Sequence, residues 1–122
     1  MHIDIELQRG LMLVTAGGSV RFDAVPRLFK QVFDEAAEKQ VNKILVDSLA
    51  LDGELATFER YDLGVEMAAY LNERRMNLQL AFVGRLPTMN GFGARVARNR
   101  GIITEVFSTH DEALRWLDQL PD

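Results

Sequence analysis

Six arginines and no acid lie between Arg74 and Arg100, while the rest of the chain holds all 18 acidic residues. Within that stretch Arg85, Asn90 and Arg95, with Gly91 and Gly93 among them, have the makings of an anion site. Glycines let a backbone approach an anion closely, and arginine offers a planar fork of donors. Arg98 and Arg100 could join it. The same arginines could instead be solvated helix charges, or pair with acids of the body or of a second subunit. Gly91-Phe92-Gly93 lacks the Gly-Lys-Ser/Thr ending of a nucleotide loop. Asp47 follows the β-rich run Ile44-Leu45-Val46 and is expected at the carboxyl end of a central strand. Open α/β sheets take ligands along that edge, although an Asp there can also bond backbone N–H groups of the next loop. A receiver-type phosphoacceptor is excluded, since Ala16-Gly17-Gly18-Ser19 supplies no acidic pair to hold Mg²⁺.

Ser48 and Thr57 are the candidate phosphate acceptors. Thr57 falls where a second helix should begin, and free N–H groups and the helix dipole stabilise added negative charge there. The alternatives are a plain N-cap threonine at Thr57 and a polar strand-end residue at Ser48. Asp52, Glu54, Glu59 and Asp62 form a local acidic patch, but the calcium-loop pattern is missing and a solvated face is expected. His2 and His110 are the only histidines and there is no cysteine, so neither a His-x-x-x-His zinc site nor a thiol nucleophile can form. No Gly-x-Ser-x-Gly elbow is present. No nucleophile, base and oxyanion hole assemble from these residues, and no cofactor or metal is expected.

The elements that must carry these residues are legible in the hydropathy pattern. Residues 3–7 alternate apolar and polar, Arg9-Gly10 turns the chain, and Leu11 to Ala16 is near-continuously apolar: a hairpin. Gly17-Gly18-Ser19 breaks the pattern. A helix is expected from Asp23 as N-cap, with Pro26 in its first turn and an apolar stripe through Val25, Leu28, Phe29, Val32, Phe33 and Ala36. A buried strand over 44–46 ends at Asp47-Ser48, and 49–56 reads as a loop. The second helix, from about Thr57 to the exit at 72–77, is expected to place Phe58, Tyr61, Val65, Ala68 and Ala69 on one side. A strand over 78–83, a short helix over 94–99, a strand over 102–107 and a final helix complete the order. That last helix opens on the capping-box spacing Thr109 to Glu112, carries Ala113, Trp116, Leu117 and Leu120, and stops at Pro121. The pattern β-β-α-β-α-β-α-β-α implies a mostly parallel sheet with right-handed crossovers. Phe29, Phe33, Met67 and Trp116 are expected in the core.

The chain has 122 residues, 48% hydrophobic and 26% charged, enough for a single domain over 1–122 that buries roughly two thirds of its surface. No apolar run approaches the roughly 20 residues of a membrane span, and the N-terminus has no signal-peptide pattern, so a cytoplasmic protein is expected. A net charge of −4 argues against nucleic acid as a partner.

Taken together, the N-terminal hairpin, Val20-Arg21-Phe22-Asp23-Ala24-Val25-Pro26 leading into a helix, Leu45-Val46-Asp47, Ala81-Phe82-Val83-Gly84 and the closing run from Val106 to Leu117 resemble the SpoIIAA-like group of STAS-fold proteins. These are relatives of bacterial anti-sigma-factor antagonists. The resemblance implies an α/β fold: a STAS-like mixed sheet of about five strands, with an N-terminal hairpin and about four helices packed mainly on one face. It also implies a protein-binding switch, with a phosphoacceptor Ser or Thr at the start of the second helix, near Thr57. That site normally reads Asp-Ser-Ser/Thr-Gly; here it is Leu55-Ala56-Thr57-Phe58, without the Asp and the Gly. The group is also compared with Sec14-type lipid-binding domains, which implies an apolar groove.

The expected function is a non-enzymatic interaction module with a protein partner, which could be a second copy in a homodimer. The alternative is a Sec14-like carrier of a lipid or small anionic metabolite, with Asp47, Arg85, Asn90 and Arg95 as its ligand-binding candidates. A hydrolase using Asp47 ranks last.

Overall fold

The computed structural model describes residues 1–122. The elements run β1 (His2–Gln8), β2 (Leu11–Ser19), α1 (Val25–Glu38), β3 (Lys43–Asp52), α2 (Thr57–Glu73), β4 (Gln79–Val83), α3 (Phe92–Arg98), β5 (Ile103–Phe107) and α4 (His110–Gln119). The five strands lie side by side in chain order. β1 and β2 form the antiparallel hairpin, and β2 to β5 are mutually parallel. Because each crossover steps in the same direction and is right-handed, α1, α2 and α3 must all land on one face. α4 follows the last strand, is bound by no crossover, and folds onto the other face.

Side-chain alternation along each strand splits the apolar residues between two cores. Ile44, Val46, Leu80 and Phe82 meet Val32, Phe33, Ala36, Met67, Ala68 and Leu71 of α1 and α2. Leu45, Ala81 and Val83 meet Ala113 and Leu117 of α4. Each fully buried Val, Leu, Ile, Phe or Met among them contributes about 1.5–3 kcal/mol of transfer free energy. Polar groups anchor α4 at its end: Lys43 Nζ donates to the carbonyls of Leu117 (2.6 Å) and Leu120 (2.8 Å), and Gln79 Nε2 donates to Pro121 O.

Several sequence expectations change. Gly17 and Gly18 lie inside β2, held by pairing with Ala50 and Leu51. Ala24, not Asp23, is the N-cap of α1. Asp23 instead accepts two hydrogen bonds from the Arg21 guanidinium, and this bond holds its carboxyl below the usual carboxylate value. β3 runs six residues beyond Val46, to Asp52, so Asp47 and Ser48 are mid-strand residues and 49–52 is not loop. The extra length survives through a bulge: Thr15 opposes Asp47 and Gly17 opposes Ala50, so both Ser48 and Leu49 stand across from Ala16.

Candidate functional site

The second helix buries a different face from the one expected. Phe58 and Tyr61 are exposed, and the buried stripe is Arg60, Leu63, Gly64, Met67, Ala68 and Leu71. The reason is close packing against α3. A Cβ on Gly64 would stand 2.6 Å from Gly93 O and 2.9 Å from Val96 Cβ, so only glycine lets the two backbones meet. A Cβ on Gly93 would in turn meet Arg60 O at 3.2 Å. Drawn toward α3, α2 leaves a gap beside α1. Further along, Phe29, Phe33 and Tyr70 close it, with Phe29 and Phe33 stacked at 5.8 Å and Tyr70 at 6.2 Å from Phe33.

What remains is an apolar cleft of about 150 Å³ between the sheet and the three helices. Its floor is the sheet face of Ile3, Val14, Ala16, Val46 and Phe82, and its walls include Leu28 of α1 and Met67 of α2. Alternation along β3 points Ser48 toward it after Val46, and the bulge then presents Leu51, where unbroken alternation would have presented residue 50. Arg60 is the one Lys or Arg side chain lining the cleft, and only 8% of it is exposed. Its Nε donates to Leu55 O (2.9 Å) and its Nη2 to Pro87 O (2.9 Å), with Glu54 at 4.0 Å from Nη2. Nothing in the chain hydrogen-bonds Arg60 Nη1 or the Ser48 hydroxyl. Arg60 lies three residues before Leu63 on the stripe that continues through Met67 and Leu71. Reading that stripe, rather than Phe58 and Tyr61, would have exposed it in the sequence.

The mouth of the cleft joins two segments. Arg60 bonds Pro87, and the Thr88 hydroxyl donates to Gly53 O (2.5 Å), tying the β4–α3 loop to the approach to α2. Thr57 is the first residue of α2, not its N-cap; the cap position is Ala56, whose backbone N–H donates to Glu59 Oε1 at 2.8 Å. The Thr57 side chain is exposed and unbonded. On the two tied segments Phe58 is 67%, Tyr61 44% and Leu86 72% exposed.

The other candidates lie apart. Asn90 lines the cleft, and its Oδ1 accepts from the Phe92 N–H. Arg85 and Arg95 are exposed, form no hydrogen bond or ion pair, and do not line the cleft. Arg98 pairs with Glu105 at 3.0 Å, and Arg100 bonds Val96 O and the Tyr61 hydroxyl. Asp47 points to the opposite face. Its Oδ1 accepts from the Leu49 N–H at 2.9 Å, and its Oδ2 lies 2.7 Å from His110 Nε2. No hydroxyl bonds the other imidazole nitrogen. No three His, Cys, Asp or Glu side chains are grouped to hold a metal, the patch at 52–62 included. No helix is long and apolar enough to cross a membrane.

Strand order, hairpin and helix placement together define the SpoIIAA-like, or STAS, fold. An anti-sigma factor antagonist from Mycobacterium paratuberculosis is similar, with a TM-score of 0.64 at 16% identity over 97% of this chain and 94% of that one. SpoIIAA in its unphosphorylated form aligns at 0.55 and 13% identity, over 98% and 100% of the two chains. An uncharacterized Shewanella loihica protein of the DUF3478 family, described as having a SpoIIAA-like fold, aligns at 0.53 and 21% identity, over 95% and 92%. No protein-family model matches this sequence, and no curated protein matches it.

Proposed function

We propose that this chain is a non-enzymatic STAS-like regulatory module that binds a protein partner through the start of α2 and the β4–α3 loop. The observation that carries this reading is the exposure of Thr57, Phe58, Tyr61 and Leu86 on two segments that hydrogen bonds hold together. Exposed aromatic and aliphatic side chains on a rigid frame are what interface anchors are made of. Two of the fold neighbours are named as anti-sigma factor antagonists, which supports a protein as the partner.

Thr57 supplies a means of control. Its free hydroxyl stands at the N-terminus of a 17-residue helix, where the dipole favours negative charge. A phosphate there would add about two negative charges amid an apolar docking surface and release the partner. Ser48, buried in the cleft floor, offers a kinase no access and is set aside as an acceptor.

The test is affinity capture with the wild-type chain and a Phe58→Asp/Leu86→Asp variant as parallel baits. Both side chains are exposed, so the variant's stability should stay within about 1 kcal/mol of wild type. A partner retained by wild type and weakened about tenfold or more by the variant, with Thr57→Glu acting in the same direction, is the expected result. A partner held equally by both baits overturns this surface.

A further inference from the structure

We propose that the cleft between the sheet and α1–α3 is a binding site for a small amphipathic carboxylate. Its acid group would sit on Arg60 Nη1 and the Ser48 hydroxyl, and its apolar tail would lie on the sheet. Three observations converge.

The first is the state of Arg60. A guanidinium so far removed from water is stable only when its donors are met and its charge is answered. Two donors reach carbonyls, Leu55 O and Pro87 O. The one acid nearby, Glu54, stands at 4.0 Å and is 66% exposed, a long pairing screened by solvent. Nη1 remains open, and a carboxylate is a group whose geometry the guanidinium fork fits.

The second is Ser48. It is 5% exposed, strand alternation from Ile44 and Val46 points it to the cleft, and its hydroxyl has no partner in the chain. A hydroxyl that opens onto the cleft without a partner in the chain is free to donate to a ligand there.

The third is the remainder of the wall. Eighteen of the 25 lining residues are hydrophobic, and no second cationic side chain is among them. Arg60 is the one cationic side chain in the wall, and a single carboxylate matches its charge. A cavity of about 150 Å³ accommodates a benzene-sized group. The ligand is therefore a monocarboxylate with an aromatic ring or a chain of about six to eight carbons, its end reaching the open mouth.

The test is calorimetric titration of the full chain with octanoate, octanol and octyl phosphate, each below its micellar concentration. Octanoate should bind one per chain, about tenfold or more tighter than octanol, because the tails are equal and only the charged hydrogen bonds differ. Arg60→Met should bring octanoate down to the octanol level, and Arg60→Lys should restore part of the loss. Ala16→Phe, which fills the cleft floor without touching Arg60, should abolish binding of all three. If Arg60→Met fails to fold, the octanoate-to-octanol ratio on wild type and the Ala16→Phe result still decide. Equal affinity for octanoate and octanol, tighter binding of octyl phosphate, or undiminished binding by Ala16→Phe each overturns the assignment.

Discussion

On one face of the sheet, α4 presses Ala113 and Leu117 onto Leu45, Ala81 and Val83, and the polar groups at its two ends are tied down. His110 meets Asp47 at the start of the helix, and Lys43 takes the carbonyls of Leu117 and Leu120 at the end. On the other face, three helices share one larger core, yet a cleft remains with a guanidinium in its wall. The contrast comes from how the helices are spaced. A single helix with small and medium side chains settles onto the pleat without constraint. α2 cannot settle midway between its neighbours, because Gly64 and Gly93 commit it to α3. The space that commitment leaves beside α1 is filled only where Phe29, Phe33 and Tyr70 reach across. Packing that is tight in one place and open in another is how a small domain keeps a stable core and a binding site on the same face.

The strongest way to break this comparison is to empty each core in turn. Phe33→Ala should destabilise by about 3–5 kcal/mol and Leu117→Ala by about 2–5 kcal/mol, read from denaturant unfolding. If Phe33→Ala proved nearly neutral, the helical face would be loose throughout rather than open at one cleft. Next in size is Gly64→Ala. Its Cβ meets the Gly93 carbonyl, a backbone atom that cannot swing aside, so a loss of about 1–3 kcal/mol is expected in the same assay. A neutral Gly64→Ala would remove the close approach of α2 and α3 as the origin of the cleft. His110→Ala should cost about 1 kcal/mol, the usual net worth of one hydrogen bond, and leave the cleft and its ligand binding untouched. A change in octanoate binding in that variant would show the two faces to be coupled.

The smallest effect concerns pH. The Tyr70 hydroxyl donates to Asp34 across the α1–α2 seam, and that bond raises the phenol above its ordinary value, with burial and the Asp34 charge adding to it. A raised acid of this kind gives stability that is fully present below the unfolded phenol's titration range and is lost as pH rises through the folded value. Asp34→Asn should therefore bring the Tyr70 titration, followed by phenolate absorbance, back toward the ordinary phenol range. Because the tyrosine is only half-buried, the accompanying change in melting temperature should be slight.

Much of this could be read from residue order. The hairpin followed from the alternation at 3–7, the parallel strands from the apolar runs at 44–46 and 78–83, and the last helix from Thr109 capping the Glu112 N–H. These are local signals, a period or a cap, and local geometry obeys them. Asp47-Ser48 misled as a strand end because a polar pair in a strand looks the same whether it stops the strand or is satisfied from elsewhere. Here Asp47 is met by His110, 63 residues away, and a bulge lets the strand continue. The buried face of α2 was hidden for a similar reason. An aromatic residue suggests an inner face and an arginine an outer one, and in this helix Phe58 is outside and Arg60 inside. Only the approach of α2 to α3 and the carbonyls of Leu55 and Pro87 decide that exchange. The sequence by itself determined the elements, their order and hence the face on which three helices gather, because period, capping and crossover handedness act along the chain. The tertiary structure alone decided the cleft, the placement of Arg60 and Ser48 in it and the Phe58–Leu86 surface at its mouth. Those depend on which distant backbones come within van der Waals distance, and no local pattern carries that information.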